Sequence, residues 1–251
     1  MATYKKRGGK IKSGQQQAPE QDSVTAEVFT SLDSSAGRAE AWVARNQNYI
    51  LVIIGSIVVV VLGYLAYTNF VLKPLNDEST NAMAQAQAYF KEGMEDPTLQ
   101  DSLFTLALEG DGVAPGFVEI IENYGSSDAS QLARYNTGMI SLQQGNYDQA
   151  ISYLDDFSTS DPILGALALG GIGDAFAELN QMGDALDYYQ KAASFSENDL
   201  TTPRFLLKGA QVALAVGENN KAANMLGKLK ADYASAPEAA KVAVLLAQAQ
   251  N

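Results

Sequence analysis

The sequence of 251 residues contains no cysteine and no histidine. Without cysteine the chain has no disulfide, no thiolate nucleophile and no iron–sulfur ligand, and cysteine usage gives no indication of its redox compartment. Without histidine it lacks the commonest general base and metal ligand at neutral pH. These two absences disfavour most catalytic and metal-binding classes of site.

Positive charge is also scarce, with 17 Lys and Arg against 29 Asp and Glu and a net charge of −12. A nucleic-acid partner requires clustered basic side chains on its phosphate contacts, so none is expected. The charge is uneven, because residues 1–48 carry 7 basic and 5 acidic side chains, whereas residues 73–251 carry 10 and 24. The long C-terminal portion therefore has a net charge of −14.

A third absence is local: the 27 residues from Asn46 to Leu72, NQNYILVIIGSIVVVVLGYLAYTNFVL, contain no charged side chain. A helix needs about 20 apolar residues to cross a bilayer, and this run exceeds that length. Tyr49 lies near one edge, and Tyr64 and Tyr67 lie toward the other, as in an aromatic belt. We therefore expect a transmembrane helix over residues 49–72, in contact with membrane lipid, rather than a buried soluble helix.

The basic residues around this run predict its orientation. Arg38 and Arg45 precede the run and Lys73 follows it, and the N-terminal side is short enough for the positive-inside rule to apply. Residues 1–22 are rich in Lys, Gly and Gln and are expected to form a disordered cytoplasmic tail. Residues 23–48 are expected to be a cytoplasmic juxtamembrane helical segment, and residues 75–251 a domain on the opposite, periplasmic side.

That domain contains an internal repeat. The segments QGNYDQAISYL, NQMGDALDYYQKA and GENNKAANMLGKL align on Ala150, Ala185 and Ala222, with separations of 35 and 37 residues. Periods of this size are typical of solenoids built from stacked supersecondary units. In the first unit Gly145 is expected to end one helix, because a residue free to adopt positive φ is favoured there.

The run from Gln131 to Pro162 resembles the tetratricopeptide repeat, with Gly138, Gly145, Ala150 and Pro162 at signature positions. The resemblance implies an all-α fold, in which the single transmembrane helix is followed by a tetratricopeptide-repeat α-solenoid of about four repeats with a C-terminal capping helix. An earlier, degenerate repeat is expected to contain an irregular insertion over Asp96–Pro115.

No catalytic, cofactor-binding or metal site is expected in the sequence. GGIGDAF at Gly170 lacks the third glycine of a dinucleotide-binding loop and lies within a repeat helix, where close packing explains it. The sequence contains no P-loop, no nucleophile elbow and no zinc-ligand spacing. We therefore expect a binding protein rather than an enzyme, with no cofactor.

The resemblance also implies a partner groove, because the first helix of each tetratricopeptide repeat lines the concave side. The positions carried over are Tyr135, Met139, Leu142, Asp174, Glu178, Arg204, Lys208, Gln211 and Leu214. Arg204 and Lys208 resemble half of a carboxylate clamp, but Tyr135, Met139 and Gly171 stand where its other half needs Lys and Asn. The alternative is that both cations are solvated or pair with Asp174 and Glu178.

A second candidate contact surface lies in the apolar run. Gly55, Ser56 and Gly63 are small, and Gly55 and Gly63 are eight residues apart, on nearly one helix face. Small residues allow close approach of helices in a bilayer, so these positions are candidates for partner contacts. The alternative is that small residues are simply tolerated there.

The layout as a whole resembles the YfgM-like family of bacterial inner-membrane proteins, in particular its Bacteroidota-type branch. The resemblance is carried by the blocks LEGDGVAPGFVEIIENYGSSDASQLARYNTGMISLQQGNYDQAISYLDDF and GALALGGIGDAFAELNQMGDALDYYQKA. It implies an ancillary subunit of the SecYEG translocon that assists nascent or unfolded polypeptides together with a PpiD-like periplasmic chaperone. The alternative is an envelope-assembly or cell-division scaffold with the same architecture.

Overall fold

The structure, a computed structural model, describes the backbone of residues 24–249 and the side chains of residues 40–249. The tail expected over residues 1–22 lies outside the described residues. By compactness the chain divides into two units, Met1–Leu65 and Ala66–Asn251.

The described part of the chain is all-α, as expected from the sequence, and contains no β-strand. Its α-helices are α1 (Val24–Tyr67), α2 (Lys73–Glu95), α3 (Gln100–Glu109), α4 (Phe117–Asn123), α5 (Asp128–Gln143), α6 (Tyr147–Asp155), α7 (Pro162–Glu178), α8 (Met182–Phe195), α9 (Thr202–Ala215), α10 (Asn219–Asp232) and α11 (Val242–Ala249). A π-helix (Thr68–Leu72) precedes α2, and a 3-10 helix (Pro237–Lys241) precedes α11.

Helix α1 contains most of the apolar run. The residues expected to lie beside the membrane and those expected to cross it form one helix as far as Tyr67, and the last five positions of the run form the π-helix. The large apolar side chains from Leu51 to Val71 are exposed. Among the described residues, one helical stretch, Glu40–Glu95, contains a segment long and apolar enough to cross a membrane, with a mean hydropathy of 2.7 over its 18-residue apolar window.

In the second unit, three tight turns join the helix pairs α5–α6, α7–α8 and α9–α10. Gly145 and Gly217 have φ of 78° and 79°, and Asn180 takes the equivalent place with φ of 62°. In the first turn Asn146 N–H donates to the Ser141 carbonyl (2.8 Å), which is the bond of a Schellman motif. The expected role of Gly145 as a helix end is confirmed, and asparagine performs it in the second pair.

Helices α7 and α9 both have a proline in their first turn, but only α7 has a side-chain cap. Asp161 Oδ1 accepts from Ile163 N–H and Leu164 N–H, both at 2.8 Å, and Pro162 opens α7. Helix α9 begins at Thr202, and Thr201 at its cap position makes no side-chain capping bond.

Helices α2–α4 differ from what the sequence predicted. The insertion expected to be irregular over Asp96–Pro115 contains helix α3, and its remaining loop is closed by an isolated bridge between Gly110 and Pro115. Helix α3 is retained because Phe104 is fully buried, 5.9 Å from Phe90 between ring centroids. Phe117 from α4 completes this aromatic core.

Small residues set the spacing of α5–α10. A Cβ added at Gly138 would lie 2.6 Å from Leu154 Cγ, and one at Gly170 would lie 2.0 Å from the Phe205 ring. A Cβ at Gly173 would lie 2.9 Å from the Tyr189 ring. The GGIG motif is therefore a close-packing motif inside α7, as the sequence analysis expected.

The C-terminal end of the unit contains a helical segment that begins at Pro237, where a capping helix was expected. The 3-10 helix leads into α11, where Val242 is buried, and Leu245 and Leu246 pack against the core formed mainly by α8, α9 and α10. Helix α11 therefore covers apolar side chains of the last helix pair.

Candidate protein-binding groove

The first helices of the three pairs, α5, α7 and α9, contribute to one open pocket of about 510 Å³. Each contributes residues from its C-terminal half. The lining residues are Leu142, Tyr147, Asp174, Ala177, Glu178, Tyr189, Lys208, Gln211 and Val212. The pocket thus combines apolar, aromatic and charged side chains in one depression.

Of the nine groove positions taken from the sequence, Leu142, Asp174, Glu178, Lys208 and Gln211 line this pocket. Tyr135, Met139, Arg204 and Leu214 are not among its lining residues. Helices separated by 30 or more residues in sequence therefore bring five of the expected positions together. Their role in partner binding remains a prediction.

An ion pair occupies the centre of the groove. Lys208 Nζ lies 2.6 Å from Asp174 Oδ1 and 2.7 Å from Oδ2, and Tyr189 O–H donates to Asp174 Oδ1 at 2.6 Å. Burial raises the pKa of Tyr189 strongly, and the bond to Asp174 raises it further. Of the alternatives for the two cations, the structure therefore shows that Lys208 pairs with Asp174.

Arg204 is in a different environment from Lys208. Its guanidinium carbon lies 5.9 Å from the centroid of the Phe205 ring, and the side chain is exposed. Among residues 40–249, no carboxylate lies within 4.0 Å of its nitrogens. The two cations proposed as half of a clamp are thus unequal, one paired and one with its charge exposed.

Tyr135 and Met139 contribute to packing as well as to the surface. The Tyr135 ring lies 5.4 Å from the Phe157 ring, and burial raises the pKa of its phenol. Met139 packs beside Gly171, where an added Cβ would lie 3.5 Å from its sulfur. Leu214 is likewise half-buried against the core of the last helix pairs.

Glu178 lies at the C-terminal end of α7 and is exposed. Tyr147 O–H donates to Glu178 Oε2 at 3.4 Å, a long hydrogen bond. Burial, followed by the nearby charge of Glu178, raises the pKa of the Tyr147 phenol. The carboxylate therefore has one weak neighbour in the described structure and is available to a cation.

Sequence reasoning missed the aromatic residues of the pocket. Tyr147 opens α6 and Tyr189 lies in α8, both second helices of their pairs, whereas the expected positions were confined to first helices. The tight turn at Gly145 was a usable signal, because it holds the first residue of the second helix close to the end of the first.

The second candidate surface, in α1, consists of small residues without close neighbours. A Cβ added at Gly55 or Gly63 would meet no atom within 4 Å, and Ser56 O–H donates to the Val52 carbonyl at 2.8 Å. The hydroxyl of Ser56 is therefore satisfied within its own helix, and partner contacts at these positions remain a prediction.

A family model described as tetratricopeptide repeat matches residues 135–199, which include the pair α7–α8 and most of the pair α5–α6. The chain therefore contains tetratricopeptide repeats, as expected from the sequence. Repeats of this kind generally act as protein-interaction scaffolds and not as enzymes. No curated protein and no solved structure matches the chain.

Proposed function

We propose that this protein is a non-enzymatic, membrane-anchored scaffold whose tetratricopeptide repeats bind polypeptide segments in the α5–α7–α9 groove. The observation that carries the proposal is the pocket itself, in which three first helices present five of the expected positions. Leu142 and Val212 offer apolar contact beside the polar Gln211, a mixture that suits weak binding of varied segments.

The anchor is the apolar helix. Its exposed Leu, Ile and Val side chains would each be solvated unfavourably in water but favourably in lipid. The basic residues before it favour a cytoplasmic N-terminus, and the long acidic portion after it would then lie in the periplasm. The protein would be a single-pass protein of a bacterial inner membrane.

The partners proposed are those that the YfgM-like resemblance implies: the SecYEG translocon, a PpiD-like chaperone and the nascent or unfolded polypeptides they handle. A groove on the periplasmic side of a membrane anchor would lie where segments emerge from a translocon. Gly55, Ser56 and Gly63 would allow the anchor helix to approach a translocon helix closely.

Site-specific photo-crosslinking of the full chain in cells tests this function. A crosslinking amino acid at Gln211, which is exposed and lines the pocket, is expected to capture translocon subunits, the chaperone or secreted polypeptides. The matched control is the same amino acid at exposed Glu122 in α4. Capture of envelope-assembly or division proteins instead would support the alternative scaffold, and equal capture from both positions would contradict the groove.

Protease treatment of spheroplasts tests the topology. The expected result is loss of the portion beyond Leu72 and protection of the N-terminal portion. A protected C-terminal portion would reverse the orientation and remove the translocon proposal. Replacing the anchor with a poly-leucine helix is expected to weaken translocon co-purification, whereas full recovery would assign binding to the repeats.

A further inference from the structure

The Asp174–Lys208 pair divides the groove into two ends. Helix α8 runs back along α7, and α9 runs back along α8, so α7 and α9 run in the same direction. The ion pair links α7 and α9 at one position along the groove, with N–O distances of 2.6 and 2.7 Å. Because each carboxylate oxygen receives the ammonium group, the centre of the groove carries little net charge.

One end of the groove is flanked by a cation, Arg204, which is exposed and lies outside the pocket lining. Arg204 is one helical turn before Lys208 on α9, and its guanidinium lowers the pKa of Tyr135 and Tyr189 against the effect of burial. The Arg204 charge therefore acts on the Tyr135 phenol of α5 as well as on the Tyr189 phenol of α8. This charge is not neutralised by any carboxylate within ion-pair distance among residues 40–249.

The other end is anionic. Glu178 is one turn after Asp174 on α7 and lines the pocket beside Tyr147. An aromatic face next to a carboxylate suits a lysine or arginine head group, and Leu142 and Val212 suit its aliphatic stem. Glu178 raises the pKa of Tyr189 and Arg204 lowers it, so both charges lie within electrostatic reach of that phenol.

We propose that the groove selects polypeptide segments that carry one basic and one acidic side chain at a fixed separation, with Glu178 binding the basic group and Arg204 binding the acidic group. This inference rests on the proposed function, since it names the segments that the groove accepts. It differs from a clamp for a terminal carboxylate, because Lys208 is committed to Asp174 and one exposed cation remains.

Helix geometry sets the separation. Arg204 and Glu178 are each four residues from the central pair, in opposite directions along parallel helices, which is about 12 Å in total at the rise of an α-helix. An extended segment covers this distance in about four residues. Residues 73–251 have a net charge of −14, which would attract the basic group of the segment. This charge favours a segment with one basic and one acidic side chain over a segment with acidic side chains alone.

Fluorescence anisotropy on the purified full chain in mild detergent tests the proposal. The probes are short peptides of serine, alanine and leucine whose lysine and aspartate lie about four positions apart. Matched probes have the lysine, the aspartate or both replaced by glutamine. We expect Glu178→Gln to weaken binding of the doubly charged peptide about two- to fivefold. Binding of the peptide without lysine should be unchanged.

Arg204→Gln is expected to show the reciprocal result. It should weaken binding of the doubly charged peptide by a similar factor and leave binding of the peptide without aspartate unchanged. Glu122→Gln in α4 and Lys230→Gln in α10 make the same charge changes at exposed positions away from the pocket and are the matched controls. Both controls are expected to bind every peptide as the unmodified chain does.

The outcomes separate this inference from the proposed function. If the uncharged peptide binds as tightly as the charged one, or if either substitution weakens all peptides equally, the charge selection is wrong and the groove still binds polypeptide. If no peptide binds at all, the groove itself is wrong. Equal losses from the control substitutions would assign the effect to overall charge and overturn the two-ended groove.

Discussion

Helices α2–α4 and helices α5–α10 bury their apolar surface with different side chains. In α2–α4 the core is centred on large aromatic rings, because the Phe90 ring lies 5.9 Å from the Phe104 ring and 6.1 Å from the Phe117 ring between centroids. In α5–α10 the close contacts are made by glycine and alanine against one large side chain, as at Gly170 and Phe205. The first region has one such contact, at Gly93 against the Phe104 ring, whereas the second repeats it at Gly138, Gly170, Gly173 and Gly209.

The difference explains which region retains a visible repeat. A helix pair that depends on small residues at fixed positions tolerates few changes there, because any added methyl group meets a neighbour. The following predictions test this contrast, from the largest expected effect to the smallest.

Removing a ring from the aromatic region should have the largest effect. Phe104 has none of its surface exposed, so Phe104→Ala should lower the free energy of unfolding by about 3–5 kcal/mol. Urea unfolding of the full chain in detergent, followed by circular dichroism, measures the change. Val113→Ala is the control at a side chain 96% exposed, and a comparable loss there would contradict the prediction.

Adding a methyl group to the close-packed region should have an intermediate effect. Gly170→Ala would place a Cβ 2.0 Å from the Phe205 ring, so the free energy of unfolding should fall by about 1–3 kcal/mol. Gly183→Ala is the matched control, because its Cβ would meet no atom within 4 Å. That control should stabilise α8 by up to about 1 kcal/mol, and equal effects of both substitutions would contradict close packing.

Alkaline pH should weaken the centre of the groove. The pKa of Tyr189 is raised in the folded chain, so its phenol stays neutral while that of the unfolded chain ionises above about pH 10. The contribution of Tyr189 to the free energy of unfolding is therefore fully present below about pH 10. Above that pH it falls by about 1.4 kcal/mol per pH unit. Tyr189→Phe should flatten this dependence in urea unfolding at a series of pH values, and an unchanged slope would contradict the assignment.

The tight turns should show the smallest effect. Gly145→Ala forces a Cβ into a backbone with φ of 78° and should cost about 1 kcal/mol of unfolding free energy. Asn180→Gly, at the equivalent turn, should change stability by less than about 0.5 kcal/mol, because glycine adopts this conformation readily. Thermal unfolding measures both, and a larger effect at Asn180 would show that the turns are not equivalent.

The regular helix pairs could be predicted from sequence because their signals are local. Gly145 and Gly217 mark turns through their own backbone freedom, and Asp161 caps α7 through bonds to the next two or three residues. Helix α3 could not be predicted, because its place depends on Phe104 packing against Phe90 of another helix, α2, which local sequence signals do not show.

The candidate site was predictable in part for the same reason. Repeat register places Leu142, Asp174 and Gln211 on first helices, and the pocket contains them. Register did not reveal Tyr147 and Tyr189, which come from second helices and enter the pocket through the way each pair folds back. The repeat register also left open whether Arg204 and Lys208 are solvated or paired with carboxylates.

The sequence by itself determined the helical repeats and the apolar helix, because periodicity, glycine turns and an uncharged run act through neighbouring residues. Only the tertiary structure decided the charge pattern of the groove. Lys208 is neutralised by Asp174 from 34 residues away, while Arg204, one turn along the same helix, meets no carboxylate among the described residues. Ion pairing depends on distances of a few ångströms between side chains of different helices, and stacking of the helix pairs sets those distances.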